Sequence, residues 1–143
     1  MDPQRNTHIK IIVCYTSLME SCTFCKIISN QLKGYIIDDS DEIISFLSLE
    51  NHPLIVPKTH IPNIYELDKD VGSALMLEIS RVATATKKGL NSDGIYITQA
   101  NDSSGGQDVF HLHFHIYPRW KEKKVDEKVM DKEEILRKIK NFL

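Results

Sequence analysis

No apolar run in this chain approaches the ~20 residues that a helix needs to cross a bilayer. The N-terminal stretch Ile11-Ile12-Val13-Cys14 is too short for a signal-peptide core, and polar residues flank it. Cysteine is scarce: three residues, Cys14, Cys22 and Cys25, in 143. An odd, small number excludes a disulfide framework and fits a reducing compartment. Charge of one sign is missing too. Eighteen basic residues stand against 20 acidic ones, a formal net charge of −2. That leaves no electrostatic footprint for nucleic acid. The expectation is a cytoplasmic protein, or in a nucleated cell a cytoplasmic and nuclear one, with neither a membrane nor a nucleic-acid partner.

What is present is concentrated in one stretch, His111-Leu112-His113-Phe114-His115-Ile116-Tyr117-Pro118-Arg119. Half of the six histidines fall on five consecutive positions, alternating with apolar residues. A period of two predicts a half-buried strand, with His111, His113 and His115 on one face and Leu112, Phe114 and Ile116 on the other. The strand rise spaces the three imidazoles about 6.6–7 Å apart. Pro118 removes a backbone donor and is expected to mark the strand end. Such a row could hold a metal through neutral imidazoles. It could instead supply a nucleophile flanked by groups that position it and its leaving group. The bland alternative is a polar sheet face.

The length suits one domain with a proper core. Residues 1–18 lack clear periodicity and are expected to be an extension, with at most a short strand at Ile9–Tyr15; His8 and Cys14 take no role. The domain is expected to span residues 19–143. Cys22-Thr23-Phe24-Cys25 opens it on a short helix from about Thr23 to Asn30. This Cys-x-x-Cys reads as a redox pair, half a zinc site or two small apolar residues. The zinc reading needs two further ligands, histidines or carboxylates, because the chain has no second Cys-x-x-Cys. Segments 34–38 and 42–49 read as a hairpin turned at Asp38-Asp39-Ser40-Asp41, and Leu54-Ile55-Val56 as a third strand closed by Pro57. His52 and His60 bracket that third strand. A long helix follows from Asp68 or Asp70 to about Leu90, carried by Val71, Leu75, Ile79 and Val82, with Asp70 as a candidate N-cap and Gly89 at its end. Segment 94–100 is a fourth strand. The polar, glycine-rich loop Asn101–Gln107 after it can offer N–H groups to an anion. The run Lys121–Lys124 reads as solvated, and Asp131-Lys132-Glu133-Glu134 as the start of a final helix.

The His-x-His-x-His segment, Gly105-Gly106-Gln107-Asp108-Val109-Phe110 before it, and His52-Pro53-Leu54-Ile55-Val56-Pro57-Lys58-Thr59-His60 together resemble the histidine triad (HIT) family over about residues 21–120. The Cys22-x-x-Cys25 helix resembles the opening of its zinc-containing branch. The resemblance implies an α+β fold: an antiparallel sheet of about five strands, two main helices and here a C-terminal helix, usually as a homodimer whose sheets run together. It implies nucleotidyl transfer or hydrolysis at the α-phosphorus of a purine nucleotide derivative, such as a nucleoside phosphoramidate or a dinucleoside polyphosphate. No catalytic cofactor is implied.

By the same resemblance His113 is the nucleophile, its other ring nitrogen bonded to the His111 backbone carbonyl, with His115 and His52 around the phosphate. Asn101, Gly106 and Gln107 match substrate-contacting positions. Cys22, Cys25, His60 and His111 match the ligands of a structural zinc. Two positions depart from the pattern. Ser48 stands where many members carry an Asp that holds the ribose hydroxyls, in a shorter loop to His52, with Glu50 as a substitute. Asp108 stands where some members have a phosphate-touching serine. The competing functions are a non-catalytic nucleotide-binding or interaction protein that keeps the triad as a pocket, and a metalloenzyme using the triad as catalytic zinc ligands.

Overall fold

The computed structural model describes residues 20–122 and 125–143. The strand expected at Ile9–Tyr15, with His8 and Cys14, lies outside them, as does part of the Lys121–Lys124 run. The described chain runs α1 (Thr23–Ile28), β1 (Ile36–Asp39), β2 (Ile43–Leu47), β3 (Pro53–Pro57), α2 (Lys69–Gly89), β4 (Gly94–Thr98), β5 (Phe114–Arg119) and α3 (Lys132–Lys140). Five strands form one antiparallel sheet in the order β1-β2-β3-β5-β4. This is the α+β architecture the sequence implies.

The central strands β2 and β3 are covered on both faces, and the strand pattern says why. All five residues of β2 and all five of β3 are buried. Side chains alternate, so each strand feeds two cores. Ile43, Leu47, Ile55, Leu112 and Ile116 meet the apolar stripe of α2, Leu75-Ile79-Val82-Ala85, and Ile135 and Ile139 of α3. Ile44, Phe46, Leu54 and Val56 turn the other way, to Cys22, Phe24, Cys25 and Ile27 of the α1 region. Leu112 and Ile116 anchor the histidine segment from below. Burying side chains of this size stabilises by about 1.5–3 kcal/mol each.

Three local expectations are adjusted. The N-cap of α2 is Asp68, whose side chain accepts from Val71 N at 2.9 Å, and Asp70 lies in the first turn. A carboxylate one residue before the helix reaches the free N–H groups, whereas Asp70 already has helical backbone. Pro118 does not end β5, which runs on to Arg119. There β5 pairs only with β4, Ile95 facing Pro118, because the β3 pairing covers only Phe114 and His115. A proline is tolerated where one side of the strand is open. Gly89 does close α2, but Leu90 caps it and Asn91 takes the left-handed turn at φ 50°. The glycine is needed instead for close approach: a Cβ at Gly89 would collide with the Lys138 carbonyl of α3.

Candidate active site and metal centre

Strand register assembles the histidines. Leu54 of β3 pairs with His115 of β5. His52 lies two residues before Leu54, so it shares that face. Its Nε2 sits 2.8 Å from His115 Nδ1, although 63 residues separate them. The alternation continues one step beyond the triad. Tyr117 lies parallel to His115 at 8°, and its ring centroid is 4.1 Å from that of His52. Arg119 lies over Tyr117 at 4.9 Å. In the sequence Tyr117 is the next i+2 position after His115, outside the three-histidine pattern.

His111 and His113 precede the regular part of β5 yet keep its alternation. His113 Nδ1 is 2.7 Å from the His111 carbonyl oxygen. A carbonyl only accepts, so Nδ1 carries the proton and Nε2 keeps its lone pair. The ring is clamped further by Phe24, edge-on at 5.0 Å, and by His115 at 5.0 Å. The imidazoles of neighbouring positions therefore stand closer than the backbone repeat, because the rings tilt toward one another.

Burial, then the positive charge that His115 would carry, lowers His52 to about 3, with Arg119, Lys128 and Lys132 adding to the shift. His115 is lowered as well, by burial and then by His113. Both are therefore neutral near pH 7. The linkage has a definite sign. An unfolded histidine titrates at about 6.5. Between that value and the depressed folded values, the unfolded chain binds protons that the folded chain refuses, so stability falls as pH drops below 6.5. Melting temperature measured from pH 7.5 down to 4.5 should therefore fall, and less steeply in His52→Gln. An identical slope in that variant would show that His52 is not a source of the effect.

The loop before the triad is closed on itself. Gly106 adopts φ 95°, and its N–H donates to the Ser103 carbonyl at 3.1 Å. Gln107 is buried; its Oε1 accepts from Asp102 N, and its Nε2 donates to the carbonyls of Pro62 at 2.6 Å and Val109 at 3.1 Å. Asn101 Oδ1 accepts from Ile64 N and from Gln99 Nε2, and its Nδ2 donates to Gln99 Oε1. In this structure all three brace the loop. Asp108 lies at the mouth, its carboxylate largely exposed and 3.6 Å from His113 Nε2. Glu50 is paired with Lys128 at 3.4 Å on the surface.

A second constellation lies on the same sheet face. Cys22, Cys25, His60 and His111 each turn a ligand atom inward, all within 4.8 Å of one another. Sulfur–nitrogen separations are 3.4 Å for Cys22–His111, 3.5 Å for Cys25–His111 and 3.3 Å for Cys25–His60. Tetrahedral zinc, with bonds of about 2.3 Å to sulfur and about 2.0 Å to nitrogen, separates S and N by about 3.5 Å. His111 Nε2 donates to the Pro57 carbonyl at 2.7 Å, leaving the Nδ1 lone pair for the cluster. A ligand histidine usually has such a partner on its other nitrogen. Burial, then Cys22, pushes the Cys25 thiol up to about 12, so a bound cation would have to displace its proton. Burial lowers His111 to about 4 against the pull of the Pro57 carbonyl, and His60 and His113 lower it further. The donor set and its spacing fit a closed Cys₂His₂ metal site.

Residues 29–122 match the HIT domain. The chain belongs to the HIT family. A HIT-like protein of Saccharolobus solfataricus is 40% identical over 103 residues, 69% of this chain and 74% of that one. The adenosine 5'-monophosphoramidase HNT1 of Saccharomyces cerevisiae is 28% identical over 111 residues, 75% of this chain and 68% of the enzyme. Among solved structures, a zinc-bound histidine triad family protein from Mycobacterium smegmatis superposes with a TM-score of 0.79 at 27% identity, covering 86% of this chain and 93% of that one. This HIT chain thus carries a Cys/His cluster suited to the zinc-containing branch, and none of its described helices is long and apolar enough to cross a membrane.

Proposed function

We propose that this HIT protein is a nucleotide hydrolase or transferase working through His113 on the α-phosphorus of a purine nucleotide derivative. The observation that carries the reading is the pinned tautomer. The His111 carbonyl accepts from His113 Nδ1, which leaves Nε2 as the ring nitrogen available to attack. Attack forms an N–P bond and breaks the bond from phosphorus to the leaving group, which departs with the electron pair and acquires a proton. Water then cleaves the N–P bond and restores Nε2. His115, packed beside His113 at 5.0 Å, would supply a hydrogen bond to the charge that builds on phosphate and leaving group, with His52 behind it, 2.8 Å from its Nδ1. Asn101, Gly106 and Gln107 are proposed as substrate contacts; their present partners within the loop would give way to phosphate. The yeast relative's phosphoramidase activity supports adenosine phosphoramidate as the first substrate to try. Release of AMP from it, or from a diadenosine polyphosphate, together with adenylate label on the protein that survives a base quench and is lost in acid, is the expected result. Tight mononucleotide binding without turnover of either would replace the proposal with the binding-module reading.

The Cys22-Cys25-His60-His111 cluster is proposed to hold zinc, which would supply a structural tie and no part of the reaction. The homodimer that the family resemblance implies would pair copies along β4, an edge strand whose Tyr96 and Ile97 are exposed. A light-scattering mass of two chains is expected, and one chain at micromolar concentration would exclude it.

A further inference from the structure

Ser48 occupies the end of β2 where an acid would be expected, and its hydrogen bonds are fully accounted for. Its Oγ accepts from the backbone N–H of Glu50 and of His52, each at 3.2 Å. Those two donors use both lone pairs of a hydroxyl oxygen. What remains is the hydroxyl proton, and the atom in front of it is His52 Nδ1 at 3.0 Å. Nδ1 must therefore accept, and in the neutral ring the proton of His52 sits on Nε2. That N–H points at His115 Nδ1, 2.8 Å away. His115 Nδ1 must accept in turn, which places the proton of neutral His115 on its own Nε2. The Tyr117 hydroxyl, 3.4 Å from the same Nδ1, is too distant to compete for its single lone pair.

We infer that Ser48 is a positioning residue that sets the direction of the hydrogen-bond chain Ser48→His52→His115 and thereby makes the outer nitrogen of His115 a donor. The inference rests on the proposed chemistry for its kinetic consequence alone. Reversing the chain shows what is at stake. With the proton on His52 Nδ1, its Nε2 turns a lone pair to His115, the His115 proton moves to Nδ1, and the outer nitrogen becomes an acceptor. An acceptor there repels phosphate oxygen where a donor would stabilise it. The short turn between β2 and β3 is what brings the hydroxyl onto the ring. The Ser48 N–H donates to the His52 carbonyl at 2.8 Å, and Asn51 takes φ 71°. The C-terminal segment locks that turn: Lys132 Nζ donates to the Ser48 carbonyl at 2.7 Å and to Asn51 Oδ1 at 2.6 Å. Burial of His52 and its lowered pKa keep the ring neutral, so that a tautomer exists to be chosen.

The test is long-range ¹H–¹⁵N NMR of the imidazoles in the full chain, on wild type, Ser48→Ala and Ser48→Thr, with kinetics on the same samples. Wild type and Ser48→Thr should show His52 and His115 protonated on Nε2. Ser48→Ala should show His52 as a mixture of tautomers. On an adenosine phosphoramidate substrate Ser48→Ala should lower kcat about fivefold with KM unchanged, the effect of one neutral hydrogen bond of about 1 kcal/mol. Ser48→Thr should restore it. A wild-type spectrum with the His52 proton on Nδ1, or a Ser48→Ala spectrum identical to wild type, overturns the inference. Should Ser48→Ala fail to fold, the wild-type spectrum still decides. A wild type that turns over no nucleotide removes the proposed function, while the spectra judge the tautomer assignment separately.

Discussion

Replacing His113 with asparagine should lower turnover by at least about 10⁴-fold, the scale on which removing a nucleophile acts in covalent catalysis. The expectation comes from what the site can and cannot rebuild. His113 is buried, pinned by the His111 carbonyl at 2.7 Å and clamped by Phe24 and His115. An asparagine amide can still donate to that carbonyl and fill much of the ring's volume, so fold and mononucleotide affinity should survive. It has no lone pair with comparable nucleophilicity to offer phosphorus. His115 is not poised to step in, because its Nδ1 faces His52 at 2.8 Å and its Nε2 carries the proton in the tautomer inferred above. Binding of AMP by calorimetry and turnover by AMP release separate the two effects. A variant with AMP affinity near wild type and no turnover is the expected outcome. Activity within tenfold of wild type would exclude His113 as the attacking group.

Loss of the metal should cost more stability than any single surface change, and it should do so without a catalytic signature of its own. The four proposed ligands come from three separate parts of the chain: the α1 segment, the segment after β3, and the stretch leading into β5. Cys25 and His60 are 35 residues apart, and Cys22 and His111 are 89 apart. Three of the four are buried. Cys22→Ser should lose bound zinc and lower Tm by about 10 °C or more, since about 1 kcal/mol shifts Tm by a few degrees at this size. Chelation of the wild type should reproduce that fall. Metal content by mass spectrometry and Tm by scanning calorimetry, on one preparation, check both. If chelation abolished activity and left Tm unchanged, the metal would be catalytic and the triad its ligand set. Unchanged zinc in Cys22→Ser would show that the cluster is not the site.

The sequence carried the local features because each depends on near neighbours. The period-two run from His111 to Ile116 specified a strand with an apolar underside, and Leu112 and Ile116 are fully buried there. The stripe of Leu75, Ile79 and Val82 specified α2. The family resemblance already gave His111 and His113 different proposed tasks. Tertiary structure decided everything that depended on which segments meet. The Leu54–His115 register set His52 beside His115, and one residue of slip would have turned His52 to the opposite face. Docking of α1 brought two cysteines to His60 and His111, where spacing alone left three readings of Cys-x-x-Cys open. The closed turns of the Gly106 loop, which engage groups the sequence offers to phosphate, follow from Pro62 and Asp102 lying within reach of Gln107. Ser48 reads from sequence as the loss of an acid. Only the fold shows its hydroxyl against His52, because a side chain's hydrogen-bond partner is set by the turn that follows it and by the Lys132 side chain that holds that turn.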